Sequence, residues 1–405
     1  LKTEYYDIAI IGAGLAGVSC ALSASKGRNL NIALIEGNKV GANKSAPLTF
    51  ADIVNENDLM DCVRGKYQSF AFHNHRGSRI EYVFKDHPLV LLDYEKACLN
   101  IFHQIGEKEN SFTFVNHYVR NVSPVGENLT VNLDNEQIIN TKVLIDCSGK
   151  YIGSSAGKDK RREYFSHPYG AIFSGIQNVR KDLLYFLLPS GAFGNGGGWF
   201  YPLNDGRVSF GYATISNSSI MRTEELKNNF YKAVREFEPY SNLLKDAKLE
   251  SVEKGIIPVT YKKNLVSQNT IFVGDAAGMA TNWTCMGIEP AIKYGKLAGR
   301  IAAEAILKDD LSILGAFQEA WDDDNKSTYD QFYKNSATFW NENHYFWEWI
   351  IKNDLAYLSP VQLLDRIRRN EHLMKKRQIY LRSLKYKVGI LIKKDLARPQ
   401  NIIIE

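Results

Sequence analysis

The chain has 405 residues and a mass of 45.9 kDa, with 44% hydrophobic and 23% charged residues. This composition excludes intrinsic disorder and collagen-like repeats, and the length provides for two to three packing units around a large core. The net charge of +5 is uneven: residues 361–405 hold twelve Lys/Arg against four Asp/Glu, a local +8, so residues 1–360 sum to −3.

Five cysteines (Cys20, Cys62, Cys98, Cys147, Cys285) form no C-x-x-C pair. Neither a disulfide framework nor a zinc site is expected, no metal ligand set is read, and a reducing, cytoplasmic setting fits. No apolar run approaches the roughly 18 residues that span a bilayer, and Leu1-Lys2-Thr3-Glu4 does not read as a signal peptide. Aromatic residues at 12% point to an apolar ligand, an apolar pocket or a sticky surface.

The run Tyr6–Ile11 predicts a buried parallel strand. It enters Gly12-Ala13-Gly14-Leu15-Ala16-Gly17, then a helix, then a second strand over Asn31–Ile35 that ends in Glu36. Strand, G-x-G-x-x-G, helix, strand and acid within about 30 residues form a dinucleotide-binding fingerprint. Gly12 permits the tight turn, Gly14 admits a pyrophosphate to the positive helix end beside Ala16, and Gly17 lets helix and strand approach. Glu36 is placed to accept from a ribose diol.

Phe70 and Phe72, a polar turn over Asn74–Ser78, then Ile80, Tyr82 and Phe84 predict a hairpin with one apolar face. Val143–Gly149 is an apolar run ending in Asp146-Cys147-Ser148-Gly149. Gly197–Pro202, Asn204-Asp205-Gly206 and Val208–Tyr212 predict strand, turn, strand. Ile271-Phe272-Val273-Gly274-Asp275 reads as a strand running into a helix start.

These segments together resemble the para-hydroxybenzoate hydroxylase-type FAD-dependent oxidoreductases. The resemblance implies FAD, with Gly274 and Asp275 as the second cofactor motif, Asp275 on a ribityl hydroxyl, and Asp146 and Gly149 in the middle motif. It implies an α/β fold: a Rossmann-like FAD-binding domain (1–45, 120–165, 265–310) interleaved with an antiparallel-sheet substrate domain (46–119, 166–264), plus a C-terminal helical, basic extension (311–405). Within that family, Trp199–Pro202 resembles the W-x-[F/I]-P segment of geranylgeranyl reductases and flavin-dependent halogenases, which sets Trp199 and Tyr201 beside a substrate chamber. Tyr169-Gly170-Ala171-Ile172 resembles a strand of the reductases.

Thr281–Ile288 occupies the place of N-P-L-T-G-x-G-I in geranylgeranyl reductases, with Asn282 for Pro and Cys285 for Gly. The halogenases carry a Ser-Thr pair where Cys285-Met286 stands, and a catalytic lysine in the region of Lys66, which reads more simply as a surface lysine. Cys285 is either a proton donor or covalent partner, or a small filler. The helix from Ile288 onward, preceded by Gly287, would aim its positive end at the flavin. The implied activity is hydride delivery to a carbon–carbon double bond of a hydrophobic isoprenoid or polyene, with Cys285, Trp199 and Tyr201 as catalytic candidates. The electron donor would be NAD(P)H, a flavin reductase or ferredoxin. A monooxygenase, a halogenase or a non-redox cyclase remain the alternatives.

Beyond Gln331, Phe332, Phe339 and Phe346, with Tyr333, Trp340 and Trp347, recur at a seven-residue step and predict one helical face. Leu363–Arg369, Lys375-Lys376-Arg377 and Tyr380–Lys394 form a basic tail. It reads as packed or solvated helix first, a peripheral membrane-surface contact second and a dock for an acidic protein third. No recognition motif accompanies the charge, so nucleic acid is not an expected partner.

Overall fold

The run at Tyr6–Ile11 becomes the inner part of strand Thr3–Ile11, and Ile8–Ile11 are fully buried because strands flank it on both edges. The structure is a computed structural model that describes residues 3–42, 47–106, 112–149, 163–238, 240–341 and 344–371. Strand Thr3–Ile11 pairs in parallel with Ile32–Ile35 and with Ile138–Asp146, and Thr270–Phe272 continues the parallel run. An antiparallel hairpin, Val119–Val125 with Asn128–Leu133, pairs along the outer part of Ile138–Asp146.

Helix Leu15–Ser25 packs on this sheet against the long helix Ile288–Leu307. Gly295 and Gly299 make the approach possible. A Cβ at Gly295 would lie 2.5 Å from the carbonyl oxygen of Ala16, and one at Gly299 2.2 Å from that of Cys20. The two helix backbones therefore touch where any side chain would hold them apart.

A second sheet runs Lys248–Lys254, Phe165–Ser174, Val208–Ser216, Gly196–Pro202, Leu183–Leu187, Ser69–His73, Arg79–Val83. It is antiparallel except where Leu183–Leu187 meets Ser69–His73. The expected hairpin is present, with Phe70 opposite Tyr82 and Phe72 opposite Ile80. Ser69–His73 is buried along its whole length rather than on one face, because Leu183–Leu187 covers its other edge and packing covers both sides. The strand–turn–strand from Gly196 is also present, with Phe200 opposite Phe210.

Phe112–Val115, expected in the covering sheet, lies instead at the edge of the first sheet beside Ile32–Ile35. The segment 46–119 is thereby divided. A fully buried four-residue strand has an open ladder to fill, and helix Tyr94–Gly106, packed on Leu15–Ser25, delivers the chain to that edge.

The C-terminal extension is helical over Ser327–Asn341, His344–Asn353 and Pro360–Arg368. The aromatic repeat thus falls on two helices, and Phe332, Trp340 and Trp347 are buried. The side chains of Phe339 and Phe346 lie outside the described residues. Helix Pro360–Arg368 opens on a capping box made by Ser359 and Gln362, and it buries Leu363 and Ile367. Its basic end is paired: Arg368 bonds Asp52 at 2.6 Å and Glu289 at 2.9 Å. Lys375-Lys376-Arg377 and Tyr380–Lys394 lie outside the described residues. No described helix is long and apolar enough to cross a membrane.

Candidate active site

Between the two sheets lies one cavity of about 1500 Å³. Gly12, Gly14, Ala16 and Glu36 line one end, Gly149, Gly274, Asp275, Gly287 and Ile288 the middle, and Trp199, Tyr201 and Cys285 the end beneath the second sheet. The residues named span 276 positions, from Gly12 to Ile288, and the parallel strand order brings the C-terminal ends of their strands to one rim.

At the first end, Gly12 has φ +97°, and a Cβ there would sit 2.4 Å from the carbonyl oxygen of Cys147. Only glycine makes this turn. Helix Leu15–Ser25 starts at Gly14 with no cap from that residue's side chain; Leu15 N donates to the Tyr94 hydroxyl, and the helix's positive end, at Gly14 and Ala16, lines the cavity. Glu36 Oε2 accepts from Ala13 N at 2.9 Å and Oε1 from Asn38 N at 2.7 Å, which holds the carboxylate across the mouth of the turn.

Two residues of the predicted set do not line the cavity. Gly17 faces the strand side, where a Cβ would lie 1.7 Å from the carbonyl oxygen of Gly12. Asp146 is buried and turned inward; it accepts from Ser148 N at 3.0 Å and Ser148 Oγ at 2.5 Å, closing the turn that presents Cys147, Ser148 and Gly149. Burial raises its carboxyl, while Ser148 and Lys262 pull it back. In this structure Asp146 shapes the loop that brings Cys147, Ser148 and Gly149 to the cavity.

Asp275 sits at the head of a short 3-10 turn, Gly274–Ala277. Its Oδ1 lies 3.6 Å from the position of a Cβ on Gly287, at the uncapped start of helix Ile288–Leu307. Burial pushes its carboxyl up to about 6. Among the described residues no side chain or N–H donates to it, so it offers a free acceptor to the cavity.

Loop Thr281–Met286 closes on itself. Thr281 N donates to Met286 O at 3.1 Å, Thr281 Oγ1 accepts from Met286 N at 2.9 Å, and Cys285 N donates to Thr281 O at 2.9 Å. Cys285 is left at φ +55°, the left-handed region that favours glycine. Burial raises its thiol to about 11, with Ser166 pulling the other way, so it is protonated at neutral pH.

Across the cavity the second sheet presents an aromatic wall. Phe72 stacks on Trp283 at 6.0 Å, and Tyr201 lies 6.0 Å from Phe186 and 6.4 Å from Trp199. Burial drives the Tyr201 hydroxyl well above its ordinary range, reinforced by Tyr67, Cys285 and Glu253. Trp199 lies over two glycines on neighbouring strands: a Cβ at Gly211 would be 2.2 Å, and one at Gly170 2.7 Å, from its Cζ2. Its Nε1 donates to Ser209 Oγ at 2.8 Å, and Ser209 Oγ donates to Glu253 Oε2 at 2.5 Å. Lys66, by contrast, is exposed and does not line the cavity.

Glu253, Ser209 and Tyr94 were not legible as site residues. Glu253 lies in the strand Lys248–Lys254, which is mostly exposed and carries no motif. Tyr94, whose hydroxyl accepts from Leu15 N at 3.2 Å, starts a helix with no motif of its own. A signal for the Glu253 neighbourhood was Gly170, where a Cβ would lie 2.7 Å from the Trp199 indole and 2.8 Å from the carbonyl oxygen of Phe210.

Comparison with known proteins follows this geometry. The family described as lycopene cyclase protein matches residues 7–343. A digeranylgeranylglycerophospholipid reductase of Methanococcus vannielii is 24% identical over 390 residues, 89% of this chain and 88% of that one. A geranylgeranyl bacteriochlorophyll reductase-like protein of Thermoplasma acidophilum superposes with a TM-score of 0.69 at 19% identity, covering 97% of this chain and 98% of its own. A flavin-dependent brominase superposes with a TM-score of 0.71 at 15% identity, covering 95% and 99%. The two structural likenesses establish a shared fold.

Proposed function

The chain belongs to the lycopene cyclase protein family, and from that premise we propose that it is an FAD-dependent oxidoreductase that reduces carbon–carbon double bonds of an isoprenoid or polyene. The observation that carries this reading is the continuity of the cavity: one space joins a dinucleotide cleft at Gly12, Gly14 and Glu36 to an aromatic chamber at Phe72, Trp199 and Tyr201. The near full-length likeness to a named digeranylgeranylglycerophospholipid reductase supports the substrate class.

The residues present fit FAD. The positive end of helix Leu15–Ser25 would hold the pyrophosphate, Glu36 the adenosine ribose, and the unpartnered Asp275 carboxylate a ribityl hydroxyl. The start of Ile288–Leu307 would face the ring system, where its positive end favours negative charge. FAD, when bound and reduced, would supply the hydride; its two electrons would arrive as a hydride from NAD(P)H, singly from ferredoxin with protons from water, or through a flavin reductase. The chain's part is to orient an apolar tail along Phe72, Phe186 and Trp199, to exclude water, and to furnish a proton. Cys285 and Tyr201 line the same cavity, and both hold their protons at neutral pH.

The exposed Lys66, and the Cys285-Met286 pair in place of hydroxyl residues, both count against halogenation. The family match keeps a non-redox cyclase as the second reading. Mass spectrometry separates them. The purified chain is loaded with FAD, reduced anaerobically and given geranylgeranyl lipids and linear polyenes. A gain of two hydrogens is the expected result; an isomer of unchanged mass would replace the reductase with the cyclase, and an added oxygen or halogen would replace both.

A further inference from the structure

Trp199, Gly211, Gly170 and Glu253 stand directly opposite one another on four adjacent antiparallel strands. Residues in such a row share one face of a sheet, and Trp199 and Glu253 fix that face as the one lining the cavity. The two glycines leave a trough, and the indole of Trp199 lies along it. The hydrogen bonds across the trough run one way: Trp199 N–H to Ser209, and Ser209 O–H to Glu253 Oε2. Glu253 is 8% exposed, and its Oε1 accepts nothing from a described residue.

We propose that Glu253 is the acid that protonates the substrate carbon in this chamber, and that Ser209 and Trp199 are the residues that position it. The proposal rests on the reductase reading above. Reduction of a double bond places a hydride, with its electron pair, on one carbon, and the reduced flavin named above is its source. The neighbouring carbon needs a proton. The O–H bond of the Glu253 carboxyl breaks as the new C–H bond forms, leaving a carboxylate whose Oε2 is already held by Ser209 O–H. Water entering at the mouth, where Lys254 and the 82% exposed Ile220 line the cavity, returns the proton.

The surroundings favour the protonated form of this acid. Burial raises the Glu253 carboxyl and outweighs Ser209 and the Arg64 guanidinium, which both favour the carboxylate. Tyr201 stands in its field and is itself held protonated.

The test compares the FAD-loaded full chain with Glu253→Gln and Glu253→Asp. Infrared spectra at neutral pH, in light and heavy water, should contain a protonated-carboxyl carbonyl band that Glu253→Gln lacks; this readout needs no turnover. With a geranylgeranyl ether lipid as probe, Glu253→Gln should lose on the order of 100-fold or more in kcat. KM and FAD affinity should stay within a few-fold, and Glu253→Asp should recover part of the rate. A wild type without the carboxyl band, or Glu253→Gln at the wild-type kcat, overturns the proposal alone. A wild type that adds no hydrogen to any isoprenoid, with FAD bound and reducible, overturns the reductase reading and the proposal with it.

Discussion

The side-chain amides of Asn282 and Asn370 clasp each other in the core. Asn370 Nδ2 donates to Asn282 Oδ1 at 2.6 Å, and Asn370 Oδ1 accepts from Asn282 N at 2.9 Å. Asn282 Nδ2 donates onward to the carbonyl of Val259. Asn282 opens the turn that carries Cys285, and Asn370 ends helix Pro360–Arg368, so the C-terminal extension is bonded to the site loop 88 residues before it. Asn370 also holds φ +53°, a conformation that Asn tolerates better than most residues.

Asn370→Ala should therefore destabilise the chain by about 2–4 kcal/mol, because it strands a buried carbonyl and a buried N–H that were both paired. Denaturant unfolding measures the loss. The site loop should loosen with it, read as faster amide exchange at Cys285 and Met286 than at Ile8 or Ile10. A change under about 0.5 kcal/mol, the range of an ordinary surface substitution, would show that the clasp does not hold the loop.

Glu36 bears on cofactor affinity. Its carboxylate is already fixed by Ala13 N and Asn38 N, so a ribose diol meets a preorganised acceptor. Glu36→Ala should weaken FAD binding by about 10- to 100-fold, the equivalent of one or two hydrogen bonds to a charged group. Flavin fluorescence quenching reports the affinity. Unaltered binding would remove the ribose from this end of the cavity.

The two halves of the site differ in how far sequence foretold them, and the difference is one of range. Gly12, Gly14, Glu36 and helix Ile288–Leu307 follow from spacing within about 30 residues, where a tight turn or a helical repeat leaves a local trace. Trp199 and Tyr201 were legible through a short motif, and Gly295 and Gly299, four apart, could have announced a close helix contact. Glu253 had no such trace, since its burial comes from Phe165–Ser174 beside it and from Ser209 two strands away. Asn370 and the placement of Phe112–Val115 likewise depend on pairing across long loops, which local periodicity does not encode.

Cys285 separates backbone from chemistry. At φ +55° its Cβ strains a turn that glycine would make freely. Cys285→Gly should stabilise the protein by about 1 kcal/mol, or lose that gain only to glycine's greater unfolded-state entropy, whereas Cys285→Ala keeps the strain and should be less stable than the glycine variant. Thermal unfolding ranks the three. If Cys285→Ala lost a hundredfold in turnover while Glu253→Gln kept its rate, the proton would come from the thiol rather than the carboxyl.

Asp275 gives a pH signature. Its carboxyl rises from 3.8 to about 6 on folding, through burial. Between about 4 and 6 the folded state thus binds more protons than the unfolded one, and stability falls as pH rises through that window. The penalty is complete above pH 6 and absent below 4. It amounts to at most about 3 kcal/mol, and less where the cavity admits water. Asp275→Asn should therefore be more stable than the wild type above pH 6 and equal to it below 4, in urea unfolding of the FAD-free protein. A ligand hydroxyl that donates to the carboxylate favours the charged form, so FAD should move the inflection of this difference toward acid. An inflection that stays in place when FAD binds would separate Asp275 from the ribityl chain.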